Sequence, residues 1–411
     1  PAWDHGLRRR QLAVTAGLVV ALAIATTAQA ADDYVIPTDP ADELNLPDPA
    51  TPTMPRALAF GLAGSDEAAN RYAISYVAIP LRGYRLGVRQ SQAQAMTRRV
   101  SNRMNEVTGG RFGYGMVDWA RAPKTSSRRL SCDPAVVNRQ YRSYAPALKR
   151  TPPGYRDTIA IYLTPLRYKC NYAGIALLGG RALVLNGVES SPRGLQDWIT
   201  AHELGHTLGL EHAASFWPRQ VGWTFSDPVP VKAREQQWNE YGDYLDLMGQ
   251  PPNGGYGLPG ARLGKWSFSA LHLQALGVLR ARNQTVVRSS GRYTISAVTP
   301  DRSGGRMILG IPVVADGTNT FWSLELRPVA SNAVNLNLPT PYPTRGYGVR
   351  LMLAGRGYRY PGAMNRVFHV SRAAAAQAVL PVGRTIRLPR TGTVRVVSVI
   401  GNTATVDVDL S

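Results

Sequence analysis

Residues 201–213 read Ala-His-Glu-Leu-Gly-His-Thr-Leu-Gly-Leu-Glu-His-Ala. His202 and His206 are four apart, so on a helix both imidazoles project from one face. They can share one zinc ion, which favours neutral imidazole nitrogen in a tetrahedral shell. Gly209 lets the helix end and the chain turn, because it tolerates backbone angles that strain other residues. The turn can bring His212 back as a third ligand. Three protein ligands leave one position for water, the arrangement of a catalytic rather than a structural site. Glu203 stands beside the first ligand, suited to take a proton from that water as it attacks a carbonyl. The chain has six histidines, and three of them stand here. The competing reading is a buried helix with structural histidines. His272 and His369 are isolated and read as structural or exposed.

These residues need a rigid helix beneath them. Ser191 is a candidate N-cap, with Pro192 at the first helical position. From Gly194 the helix is expected to run through about Leu208, with Leu195, Trp198 and Ile199 on the face of the histidines. A second helix is predicted by Ala93, Met96, Val100, Met104 and Val107, and Gly109-Gly110 stops it. Strands are expected at Ala73 to Leu81, Thr158 to Leu163 and Ala182 to Leu185. Beyond about Asn283 the texture becomes short β-prone runs separated by turns. Val394–Val399, Gly401-Asn402 and Thr403–Leu410 read as a hairpin. Its last run places Ala404, Val406, Val408 and Leu410 on one face.

The 411 residues are 44% hydrophobic and 18% charged, which excludes a disordered chain. The net charge of +20 comes from 47 basic and 27 acidic residues, and 42 of the basic ones are scattered arginines. The scatter reads mainly as compositional bias and gives no specific nucleic-acid site, since no aromatic-plus-basic stretch suits base stacking. It still favours association with anionic cell surfaces. Arg8, Arg9 and Arg10, the apolar run from Leu12 to Ala25 and Ala28-Gln29-Ala30 have the form of a secretory signal cleaved near Ala30. An uncleaved anchor, or twin-arginine export through Arg9-Arg10, are the alternatives. Ala31 to Pro55 is Pro-rich and acidic, a linker or short pro-segment. In an exported chain the isolated pair Cys132 and Cys170 points to a disulfide, with two free thiols as the alternative. Such a bridge stabilises by about 3–4 kcal/mol in the chain-entropy picture.

Tyr241-Gly242-Asp243-Tyr244-Leu245-Asp246-Leu247-Met248-Gly249 follows the histidine motif. An H-E-x-x-H-x-x-G-x-x-H helix with a later Met-containing turn is the metzincin pattern. More narrowly, the chain resembles the gametolysin family of metzincin zinc peptidases. The resemblance rests on the zinc motif and on the turn at 241–249. It is carried further by Cys170–Ala176 with Gly179-Gly180, by Ser269–Leu279, and by Phe321–Arg327. It covers about residues 155–330. It implies an α+β fold: a metzincin-type catalytic domain, with a twisted mixed sheet and an active-site helix, at 66–285. Apart from the resemblance, the many short β-prone runs read as a C-terminal all-β, sandwich-like domain at 286–411, and the start of the chain as the signal (1–30) and the linker or pro-segment (31–65). The resemblance also implies that Met248 packs beneath the zinc histidines, and that extended polypeptide lies along an edge strand of the sheet. Ala182, Leu183, Val184 and Leu185 are the candidate edge. Some metzincins carry a Tyr two residues after the Met; here that residue is Gln250, and neither Tyr244 nor Tyr256 is assigned its role.

The expected activity is therefore zinc-dependent endopeptidase cleavage of extracellular or cell-envelope proteins, with one catalytic zinc and Glu203 as general base. The rival reading is an envelope-associated binding protein that keeps the fold; the intact Glu203 argues against it. No Asp-rich loop has calcium-site spacing. Oligomeric state has no sequence marker.

Overall fold

The computed structural model describes residues 70–84, 86–126, 129–165, 170, 172–186, 197–217, 237–239, 243, 246–249, 267–298, 305–312, 321–327, 348–356, 363–368, 379–380, 382–388 and 391–410. The expected signal and the linker or pro-segment lie outside them. So do Ser191 to Leu195, Tyr244, Gln250 and Tyr256.

The first half is built on a five-stranded sheet. Its strands are β1 (Asn70–Ala78), β2 (Phe112–Arg121), β3 (Asp157–Thr164), β4 (Gly174–Ala176) and β5 (Ala182–Asn186), in the order β2-β1-β3-β5-β4. All neighbours are parallel except β4, which runs antiparallel to β5. A parallel sheet covered on both faces needs strands apolar on both faces, and the alternation in these strands supplies them. Tyr72, Ile74 and Tyr76 of β1, Ile159, Ile161 and Leu163 of β3, and Leu183 and Leu185 of β5 face one layer. Val77, Ala160, Tyr162, Ala182 and Val184 face the other.

Helix α1 (Gln90–Val107) covers the first face with Ala93, Met96, Val100, Met104 and Val107. Those are the positions the helical period marked. Gly109 and Gly110 adopt φ of 59° and 82°, which ends the helix. Helix α2 (Pro134–Tyr141) covers the second face. Asp133 caps it, accepting from the Ala135 N–H at 2.7 Å, and Pro134 opens it.

Helix α3 (Asp197–Thr207) lies on the same face as α1, and helix α4 (Ala270–Ala275) comes later in the chain. A seven-stranded sheet contains β6 (Leu210–Trp217), β7 (Gln237–Asn239), β8 (Gln284–Val286), β10 (Ile308–Pro312), β11 (Phe321–Arg327), β12 (Gly348–Arg356) and β13 (Ala363–Phe368). Their order is β7-β6-β13-β12-β11-β10-β8. A four-stranded sheet has the order β14-β15-β16-β9, from β9 (Gly291–Ser296), β14 (Thr385–Leu388), β15 (Gly392–Ile400) and β16 (Thr403–Asp409). The β15–β16 hairpin turns at Gly401, and Ala404, Val406 and Val408 point into a core shared with Trp322, Leu324, Leu326, Val349 and Leu351.

The protein is thus α+β, but residues 285 and 286 do not separate its sheets. β6 and β7, expected in the catalytic segment, share a sheet with β8 and β10–β13. β6 pairs in parallel with β13. The C-terminal strands are built into the layer that carries His212.

Candidate metal centre

Helix α3 is fastened at its start and along its inner face. Asp197 receives two hydrogen bonds from Arg99 of α1, at 2.6 and 2.7 Å. The Thr200 hydroxyl donates to Met96 Sδ at 3.1 Å, and Ile199, Ala201 and Leu204 enter the core. Trp198, His202 and His206 then follow one another at four-residue spacing. Their ring centroids are 5.1 and 4.8 Å apart. Gly209 stands just past the helix at φ +88° and donates to the His206 carbonyl at 2.9 Å. The chain reverses there into β6, which carries His212 back toward the helix.

The ligand nitrogens of His202, His206 and His212 lie within 4.8 Å of one another. Nε2 of His206 and Nε2 of His212 are 3.0 Å apart. Two of the rings are oriented from behind. His202 Nδ1 donates to the Leu247 carbonyl at 3.0 Å, and His206 Nδ1 to the Leu210 carbonyl at 2.7 Å. A carbonyl acceptor fixes the proton on Nδ1 and leaves the Nε2 lone pair facing the centre, as metal-ligating histidines require. Burial lowers the His202 pKa to about 3, and His212 adds to the effect. Burial, then the neighbouring His202 and His212, push His206 well below its ordinary value. Neutral imidazoles are the form that binds zinc. The donor set therefore fits the ion.

Glu203 is buried beside this cluster, and burial raises its carboxyl to about 8. A dication held by the three imidazoles would oppose that shift and favour the carboxylate. Gly174 of β4 approaches Glu203 so closely that an added Cβ would stand 2.6 Å from Glu203 Cγ and 2.8 Å from Ile199 Cγ2. Gly174→Ala is accordingly expected to push β4 and Glu203 apart. A displacement near 1 Å costs about 10²-fold in rate. Steady-state kinetics would show the loss in kcat, and an unchanged kcat would refute the close approach.

Met248 is fully buried against Gly205, on the side of α3 away from solvent. Its turn is tied to the site at several points. Ala213, next to His212, donates to the Met248 carbonyl at 2.8 Å and accepts from the Asp243 N–H at 3.0 Å. Asp246 Oδ1 accepts from the Met248 N–H at 2.8 Å, and Asp246 Oδ2 from the Ser269 N–H at 2.6 Å. His272 Nδ1 lies 3.0 Å from the same Oδ2. Burial opposes ionisation of Asp246, but His272, then Arg327 and the Met248 N–H, more than compensate and hold its carboxyl far below the usual range.

The candidate edge at Ala182–Leu185 is corrected. That segment is β5, fully buried and paired with β3 on one side and β4 on the other. Among the described residues the last strand of the sheet on this side is β4, half-buried and adjacent to Glu203. Its three residues are too few to show a period. Cys132 and Cys170 form a disulfide. Asn186 Nδ2 donates to the carbonyls of Cys170 and Tyr172, at 3.2 and 3.1 Å, and so fastens the segment leading into β4.

Two histidines one helical turn apart, a third returned by a strand, and a carboxylate beside the first define a metal-dependent hydrolase site. Residues 154–227 match the family model described as gametolysin peptidase M11. The matched stretch holds β3 through β6, with all three histidines and Glu203. Over it the chain is gametolysin-like, and by class it is a metallopeptidase. Among solved structures it is similar to archaemetzincin (amzA) from Methanopyrus kandleri. That similarity has 16% identity and a TM-score of 0.29, over 52% of this chain and 96% of that one. OgpA from Akkermansia muciniphila matches at 12% identity and a TM-score of 0.29, over 69% and 76% of the two chains. At such TM-scores the assignment rests on the family match and the site geometry. No curated protein matches the chain.

Proposed function

We propose that the chain is an exported zinc endopeptidase that cuts extended polypeptide laid against β4. The observation that carries this reading is the join of three convergent imidazoles, two oriented by backbone carbonyls, to a buried carboxylate on the same helix. His202, His206 and His212 would hold the ion, and Glu203 is free to move a proton. Bound zinc supplies acidification of water and polarisation of a carbonyl. Glu203 accepts the proton of the attacking water on a carboxylate oxygen and returns it to the leaving amine nitrogen. Met248 supports α3 from below.

The sheet supports this choice of substrate class. β4 uses one side of its backbone on β5, and its other side is the natural place for a further strand. A substrate added there runs past Glu203 as an extended segment, so internal peptide bonds are within reach. Export rests on the N-terminal leader and agrees with the disulfide, which persists in oxidising compartments. The charge of +20 favours substrates on anionic cell surfaces.

The test is incubation of the purified chain with an unfolded protein, followed by mass spectrometry of the fragments. Internal cleavages are expected. They should stop when a chelator strips the metal and return when zinc is restored. Cleavage that ignores the chelator, or none by the zinc-loaded chain, would overturn the proposal. The N-terminus of secreted protein tests export: it is expected near Ala31.

A further inference from the structure

Behind Asp243 and the turn at 246–249 lies a buried set of charges contributed by the C-terminal strands. Glu325 of β11 and Arg350 of β12 are direct cross-strand partners. Arg350 Nη1 donates to Glu325 Oε1 at 2.9 Å, and Arg350 Nη2 donates to Asp243 Oδ2. Glu325 Oε2 accepts from the Ala270 N–H at 2.5 Å, at the start of α4. Arg327 Nε stands 2.8 Å from Glu325 Oε1, while its Nη1 donates to the Phe268 carbonyl at 2.9 Å. Glu325 and Arg350 are fully buried, and Asp243 and Asp246 nearly so.

A buried ion network is poor evidence of stability, because apolar residues of similar volume often hold a fold as well. What such a network does supply is fixed geometry. Here that geometry is passed to the metal centre in short steps. Arg350 holds Asp243, whose N–H is bonded to Ala213, the neighbour of His212. Glu325 holds Ala270, the first residue of α4, and Ser269, which caps that helix, together with His272 within it, holds Asp246. Asp246 in turn holds Met248. Between them lies Leu247, whose carbonyl orients His202.

We propose that Glu325 and Arg350 are positioning residues for the metal centre, locking Asp243 and the turn at 246–249 so that the His202 and His212 nitrogens stay convergent. The C-terminal strands then belong to the active site and are not an accessory to it. The inference rests on the metallopeptidase reading above.

The experiment compares the full chain with Glu325→Gln, Arg350→Lys and Val394→Ala. Glu325→Gln keeps size but removes the charge facing Arg350. Arg350→Lys keeps charge but lacks the fork that joins two carboxylates. Val394→Ala opens a space in the core of the two packed sheets, away from the turn, and lowers stability alone. Zinc affinity is read by competition with a chromophoric chelator, alongside melting temperature and steady-state kinetics.

Both charge variants are expected to weaken zinc binding about tenfold or more, the scale of lost support behind metal ligands. They should lower kcat with little change in KM. Val394→Ala is expected to melt earlier with unchanged zinc affinity. If the folded charge variants bind zinc as the wild type does, or weaken only as far as Val394→Ala, the inference falls. Should Glu325→Gln not fold, Arg350→Lys is read by the same two criteria. A wild type that takes up no zinc would instead sink the metallopeptidase reading.

Discussion

Glu203→Gln is expected to lower kcat for peptide cleavage by about 10²–10⁴-fold, the usual contribution of a positioned general base. KM should barely change, because the side chain acts on the proton transfer rather than on substrate binding. The substitution is chosen for its size. Gly174 lies close against the Glu203 side chain, so a near-isosteric amide keeps that packing. Gln cannot accept the proton, and it is not among the three metal-holding residues. Zinc content should therefore match the wild type. Steady-state kinetics on a fluorogenic peptide, with metal analysis of the same sample, reads both quantities. Undiminished kcat in a zinc-loaded variant would remove Glu203 from the chemistry.

His206→Ala is expected to abolish activity through the metal. It deletes one of three convergent nitrogens, the one 3.0 Å from His212 Nε2. Loss of a partner behind a ligand costs about 10–100-fold in metal affinity, and loss of the ligand itself should cost more. The fold should survive, because His206 is not among the residues that form the apolar core. Helix α3 stays anchored by Ile199, Ala201, Leu204 and the Arg99–Asp197 pair. Circular dichroism like that of the wild type, with zinc and cleavage both gone, is the expected pattern. A variant that cleaves normally would show that the histidines serve another purpose.

Local periodicity explains what could be read in advance. The buried face of α1 and the alternation of β16 repeat at the helical and strand periods; Gly109-Gly110 marks where the helix stops and Gly401 the turn from which β16 starts. The histidine motif is equally local, since one helix, one turn and the start of β6 contain it. The three-residue β4 is invisible as a strand in the sequence, and the longer apolar run of β5 reads as the edge in its place. Interior and edge strands are told apart by their neighbours, and those come from elsewhere in the chain. The parallel pairing of β6 with β13 likewise has no local sign. Arg350 is one of 42 arginines, and nothing in its flanking residues separates a fully buried guanidinium from a solvated one. Its partners Asp243 and Glu325 lie far from it in sequence and meet it only when the sheets assemble. The carbonyls of Leu247 and Leu210, which orient His202 and His206, are backbone groups with no signature in a sequence.

The most direct measurement is the zinc content of the purified full chain, set beside a variant in which His202, His206 and His212 are all replaced by Ala. Elemental analysis after dialysis should give one zinc per wild-type chain and none in the variant. Wild-type protein without zinc, or equal zinc in both proteins, would contradict the assignment of these histidines as the metal centre.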